Sequence, residues 1–335
     1  MNYTDKEKAK RITGIFNDNF AITRMYAWYL EMCPELISRE MIDELTRDSD
    51  IIEKEAIVAI LAELFGIDVE RDSESRRLYR EYLTPSVRLF DAEKYKNNPY
   101  YKNIKINDIK DGRWELKNEC YPAYRGVIAG DMIIKDSFVE IPPLGFFKED
   151  FYFPAVLEDG NEWMTLTPVD LDTSEDAIEK AHGKVITFGL GLGYYVYMVS
   201  QKASVESITV IEKSTEVIDL FKKYILPQFP NKEKVVIVND DAYHYAGEIM
   251  PNEHFDLAFV DIYRDASDGA PVYREFKKLE CLNPTCKFMY WIENFLISRC
   301  RAERLDELID KVDRNDSDAP RDYSEFVAFL QEPLS

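Results

Sequence analysis

The chain has 335 residues, of which 46% are apolar and 31% charged, and 63 Asp and Glu stand against 42 Lys and Arg for a formal net charge of −21. At roughly 100–200 residues per domain this suffices for two or three cores. So acidic a surface repels nucleic acid and anionic membranes unless a basic stripe is set aside, and none is visible; a small neutral or cationic molecule is the expected partner.

Residues 1–85 read as a helical domain. "SDIIEKEAIVAILAELFGI" sets Ile52, Ala56, Ile60 and Leu64 on one face, with Asp50 and Glu53 as the expected capping box and Gly66 as the stop. "FAITRMYAWYLEMCPEL" repeats the pattern and ends at Pro34. Phe20, Tyr26, Trp28 and Tyr29 read as core or interface, so these helices are the expected surface for a homodimer.

Residues 86–183 form a β-rich lead-in segment. "GVIAGDMIIKDSFVEI" reads as a hairpin turning near Gly130-Asp131, and "YFPAVLEDGNEWMTLTP" carries an Asp-Gly turn between two strand-like runs. "NPYY", from Asn98 to Tyr101, reads as a surface turn.

Residues 184–335 alternate. The short β-branched runs "KVITF", "SITVIE", "KVVIVN", "FDLAFVD" and "KFMYWIE" suit a parallel sheet buried on both faces. Helices are expected at about 194–204, 214–225, 242–250 and 271–281, with another in "ISRCRAERLDELIDKVDR". The fold class is therefore α/β, a doubly wound, mostly parallel Rossmann-like sheet.

"FGLGLGYY" follows the first of these strands. A dinucleotide fingerprint needs G-x-G-x-x-G, but the third glycine position is Tyr194 counted from Gly189 and Val196 counted from Gly191. The pattern is instead Gly189, Gly191, Gly193 at alternate positions, which disfavours NAD. Glu212 ends the second strand, where a carboxylate can accept from both ribose hydroxyls. Asp241 follows the third, placed to accept from an adenine amino group. Asp261 ends the fourth, where ligands bind in such sheets.

With these in order, residues 180–296 resemble the class I S-adenosylmethionine-dependent methyltransferase superfamily. Within it, "FDLAFVDIYRDASDGAPVYREFKKLE" is similar to the spermidine-synthase-like branch. The resemblance implies S-adenosylmethionine as cofactor, held by Gly189, Gly191, Gly193, Glu212, Asp241 and Tyr194. It implies methyl transfer to a small-molecule acceptor, with aminopropyl transfer and a non-catalytic binding module as alternatives. Asp261 is the first candidate base, Glu293 a second, and Asp265, Asp268, Tyr263 and Trp291 are the candidates for acceptor contact. Two departures stand out. The aminopropyltransferases carry an aspartate where this chain has Leu192, and the superfamily's closing strand hairpin is not evident after "KFMYWIE".

Cys33, Cys120, Cys281, Cys286 and Cys300 are scattered, and no histidines are paired at ligand spacing, so no metal is expected. "MNYTDKEKAK" lacks a signal-peptide core, and no apolar run nears the ~20 residues of a membrane span. A cytoplasmic location is expected.

Overall fold

A computed structural model describes residues 3–106, 108–314, 316 and 318–331. The chain divides into two compact units, each assembled from separate segments: Met1–Phe90, Tyr121–Asp150 and Asn294–Ser335 in one, Asp91–Cys120 and Phe151–Glu293 in the other.

The first unit is built on α1 (Tyr3–Met32) and α2 (Glu53–Leu64). Along α1 the buried residues Ile12, Phe16, Asn19, Ile22, Tyr26 and Tyr29 recur every three or four positions, one face of a helix. Ile22, Tyr26 and Tyr29 pack with Ile57 and Leu61 of α2. Ile12 and Phe16 pack with Leu305 and Leu308 of the helix Glu293–Asp313 and with Phe326 and Leu330 of the helix Tyr323–Gln331.

The capping of α2 lies two residues later than the sequence pattern indicates. Ile52 is the N-cap, and the Glu55 carboxylate accepts from its N–H at 3.1 Å. The stop at Gly66 is as read: it sits at φ +68°, and Ile67 N–H bonds Ala62 O at 2.8 Å. The expected hairpin near Gly130-Asp131 also shifts. Ile133–Ile134 pairs antiparallel with Glu140–Ile141, and the chain turns between Lys135 and Val139, whose N–H and C=O bond at 2.9 Å. Val127–Ile128 pairs instead with Leu144–Phe147.

The second unit holds a five-stranded sheet of β1 (Gly183–Phe188), β2 (Val205–Glu212), β3 (Val235–Asn239), β4 (Leu257–Val260) and β5 (Lys287–Tyr290). Their order is β3-β2-β1-β4-β5 and every pairing is parallel. The strands are laid down outward from β1 to β3 and then on the other side from β4 to β5, so the winding order reverses between β1 and β4, where such sheets open a crevice at the strands' carboxyl ends. Val185, Ile186 and Phe188 of β1 and all of β4 are buried, as central strands covered on both faces require. A four-stranded sheet runs Ile109–Asp111, Trp114–Tyr121, Phe151–Glu158, Asn161–Thr165. Its last turn, Asp159-Gly160, has φ +50° and +80°, the double left-handed geometry for which Asp-Gly is suited.

Four helices of this unit matter for the site: α3 (Pro99–Asn103), α4 (Pro168–Lys180), α5 (Tyr194–Ser200) and α6 (Ala266–Glu280). The last starts five residues before the expected position. Asp265 caps it, and Pro271 lies inside. Among the described residues no strand follows Tyr290, and no helix is long and apolar enough to cross a membrane.

Candidate functional site

The glycine turn joins β1 to α5. Gly189 has φ +99°, and a Cβ there would sit 2.0 Å from the Asp261 carbonyl oxygen, so only glycine lets the turn and the end of β4 approach. Gly193 caps α5 at φ +72°, and its missing side chain makes room for the Phe221 ring. Glu212 ties this turn to β2. One carboxylate oxygen accepts from Leu190 N–H at 3.2 Å and the other from Ser214 N–H at 2.7 Å.

"NPYY" is not a surface turn. Asn98 caps α3 and Pro99 occupies its first turn, and Tyr100, the next residue, is fully buried. The Tyr100 hydroxyl donates to Leu192 O at 2.5 Å, inside the glycine turn. Asn98 Nδ2 donates to the Tyr194 hydroxyl at 3.1 Å, and Asn103 Nδ2 to that of Tyr197 at 2.8 Å. The Tyr100 ring meets the Tyr194 and Tyr197 rings edge-on. This segment buttresses the turn from below.

A cavity of about 300 Å3 lies against the turn, within the range of small-molecule sites. Gly189, Gly191 and Gly193 form one side, and Tyr194, Tyr263 and Trp291 contribute aromatic surface. Asp261, Asp170 and Glu162 supply three acids, and Arg264 a single cation. The backbone of Asp261 is pinned by its N–H to Phe188 O at 2.9 Å. Its carboxylate accepts no hydrogen bond from any described residue. The residue is exposed to water on the cleft side, and neighbouring protein displaces part of the water around the carboxylate. That desolvation, with the nearby Asp170 charge second, pushes its pKa up to about 8.

Asp170 was not singled out from the sequence. It is the third residue of α4, where its carboxylate accepts from Thr167 N–H at 2.7 Å and Thr167 Oγ1–H at 2.9 Å. Burial raises it to about 6 despite those bonds. The signal was present in "TPVD", a capping box with Pro at the first helical position.

Tyr263 donates to Trp291 O, which fixes two walls of the cavity together. The indole Nε1 of Trp291 is buried without a partner among the described residues. Ile292 follows at φ +45°, a conformation that costs a β-branched residue roughly 1–3 kcal/mol.

The remaining sequence candidates do not line this cavity. Glu212 lies behind the turn as described. Asp241 caps a short helix by accepting from Tyr243 N–H and His244 N–H, and the Lys213 ammonium holds its carboxyl below the usual range. Asp265 and Asp268 form the capping box of α6. The first accepts from Ser267 N–H at 2.6 Å and the second from Asp265 N–H at 3.0 Å. Glu293 is the first residue of a helix rather than the end of β5, and accepts from the Tyr273 hydroxyl at 2.9 Å. Among the described residues no group of three His, Cys, Asp or Glu side chains could hold a metal.

No family model matches this chain, and no curated protein matches it. Among solved structures it is similar to spermidine synthase from Thermotoga maritima, at 17% identity over 44% of this chain and 55% of that one, with a TM-score of 0.31. A spermidine synthase in complex with the transition state analogue AdoDATO gives the same identity and TM-score over 44% and 54%. The chain thus spans about half the length of the structures it matches.

Proposed function

We propose that this chain is an S-adenosylmethionine-dependent transferase that passes a methyl group to a small, amine-bearing acceptor. The observation that carries this reading is the unpartnered Asp261 carboxylate, set in an aromatic-walled cavity directly beside a glycine turn at the sheet's switch point.

The residues fit such a cofactor. The turn lets a ligand approach backbone. Glu212 stands outside the cavity, and in this reading its carboxylate, accepting from Leu190 N–H and Ser214 N–H, holds the turn in the shape the cofactor needs. Trp291 lines the cavity, and its buried Nε1–H is a donor left without a partner among the described residues. The cofactor supplies an activated carbon on a sulfonium, which leaves with the bonding pair as a neutral thioether. Ionised Asp261 would take a proton from the cationic acceptor amine, which frees the nitrogen lone pair to bond to that carbon as the thioether leaves. A carboxylate raised towards neutral pH suits that task better than one near 4. Asp170 adds negative charge on the same side, which favours a cationic amine. Tyr194, Tyr263 and Trp291 exclude water and align the two reactants, a source of several kcal/mol of rate enhancement.

The same acid pair would also serve aminopropyl transfer from the decarboxylated cofactor, although Leu192 removes the acid expected in the turn. Incubation with either donor and a panel of amines, read by mass spectrometry, separates the two. Methylated amine made by the wild type, and lost in Asp261→Asn with S-adenosylhomocysteine binding retained, supports the reading. Aminopropylated product replaces it with the second. Binding without acceptor-dependent product from either donor removes the catalytic claim.

A further inference from the structure

The exposed side of α1 is not the polar face that an isolated surface helix requires. Opposite its buried stripe, Phe20, Arg24, Trp28 and Met32 follow at four-residue intervals, one ridge of the helix surface. Phe20 is 62% exposed, Trp28 48% and Met32 64%, and Leu36 just beyond the helix is 41% exposed. Ala21 and Ala27 are exposed beside them. The four large side chains present roughly 400 Å2 of apolar surface, about the largest patch a monomer ordinarily leaves to water and about half of one side of a standard interface. The alanines and the stems of Arg24 and Glu31 extend it.

Two charges lie within this patch, Arg24 and Glu31. They stand seven positions apart on the same face. Arg24 rests its guanidinium over the Phe20 ring. Neither forms an ion pair within the chain among the described residues, whereas neighbouring Glu35 is paired with Arg125 at 2.7 Å.

We infer that α1 is the interface between two copies of this chain, packed antiparallel about a two-fold axis passing beside Ala27 and Trp28. Such an axis relates position i to position 55 − i. It sets Arg24 against Glu31 of the partner subunit, and Glu31 against Arg24 of the partner subunit, so each charge meets its opposite once and the dimer holds two such pairs. The same operation brings Phe20 towards the segment holding Leu36 of the partner subunit and stacks the Trp28 side chains across the centre. Ridges of four-residue spacing interdigitate at a crossing of about 50°. A second copy is favoured over another protein because the charge pattern is complementary to itself. This inference concerns the first unit alone and does not depend on the transferase reading.

The test is sedimentation of the full chain across a concentration series reaching ~100 μM, for the wild type, Arg24→Glu, Glu31→Arg and the double exchange. All substituted side chains are exposed, and circular dichroism checks that each variant is folded. The wild type is expected to dimerise. Each single reversal creates like-charge pairs on both sides of the axis and should weaken the dimer by about tenfold or more. The double exchange restores opposite charges and should recover wild-type association. A monomeric wild type, a dimer indifferent to the single reversals, or a failure of the double exchange to rescue would each overturn the inference.

Discussion

Replacing Asp261 with Asn keeps the shape of the side chain and removes its charge. In the folded protein the Asp261 pKa rises from 3.8 to about 8, chiefly because burial penalises the charged form. The folded chain therefore holds this proton more tightly than the unfolded chain does. Between about pH 4 and pH 8 the unfolded chain has released it and the folded chain has not, so stability falls as pH rises through that window. At ~1.4 kcal/mol per unit, a carboxyl in dry surroundings would cost about 5–6 kcal/mol above pH ~8. Water reaches Asp261 through the cleft and screens most of this, leaving roughly 1–2 kcal/mol. Asp261→Asn should thus be more stable than wild type by about that amount at pH ~9 and equal to it near pH ~4. Urea unfolding of both proteins across this range gives the difference directly. Equal stabilities at the alkaline end, or a less stable variant, would show that Asp261 is not held at a free-energy cost for function.

Gly189→Ala places a Cβ 2.0 Å from the Asp261 carbonyl oxygen at a φ of +99°. It should lose about 2–4 kcal/mol of stability, measured by the same unfolding assay, and a loss below ~0.5 kcal/mol would mean the turn is looser than described. Tyr100→Phe removes the buried hydrogen bond to Leu192 O. A cost of about 1–2 kcal/mol and weaker S-adenosylhomocysteine binding are expected, because the turn loses its support; unchanged affinity would limit Tyr100 to packing. Trp291→Phe removes the unpartnered indole donor. Stability should change little while ligand affinity falls, and calorimetry that finds full affinity would exclude Trp291 as a ligand contact.

Much of the five-stranded parallel sheet is legible in the sequence. Runs such as "KVITF" and "LAFV" are apolar on both faces, which few structures other than a covered parallel sheet accommodate. The glycine turn and the acids at strand ends follow from the same local logic. What escapes the sequence depends on tertiary contact. Asn98 and Pro99 announce a helix start, but nothing local tells that Tyr100 is buried against Leu192. Thr167 and Asp170 announce a cap, and only the fold brings Asp170 to the cavity that Asp261 lines. The carboxylates of Asp265 and Asp268 look free in sequence but are taken up in starting α6, and Pro271 suggests a helix start that Asp265 makes earlier. Two expected helices, about 214–225 and 242–250, widen into π turns at Phe221–Ile225 and Tyr245–Ile249 ahead of Pro227 and Pro251. Nor does any pattern in residues 305–330 reveal that Leu308 and Phe326 pack on Ile12 and Phe16.

The most direct test of the central claim is a calorimetric titration of ligand-free protein with S-adenosylmethionine, S-adenosylhomocysteine and NAD, repeated on Glu212→Ala. Saturable binding of the first two, no response to NAD, and loss of both in the variant are the expected results. Binding of NAD alone, or of none of the three, would contradict the assignment of the glycine turn and, with it, the role given to Asp261.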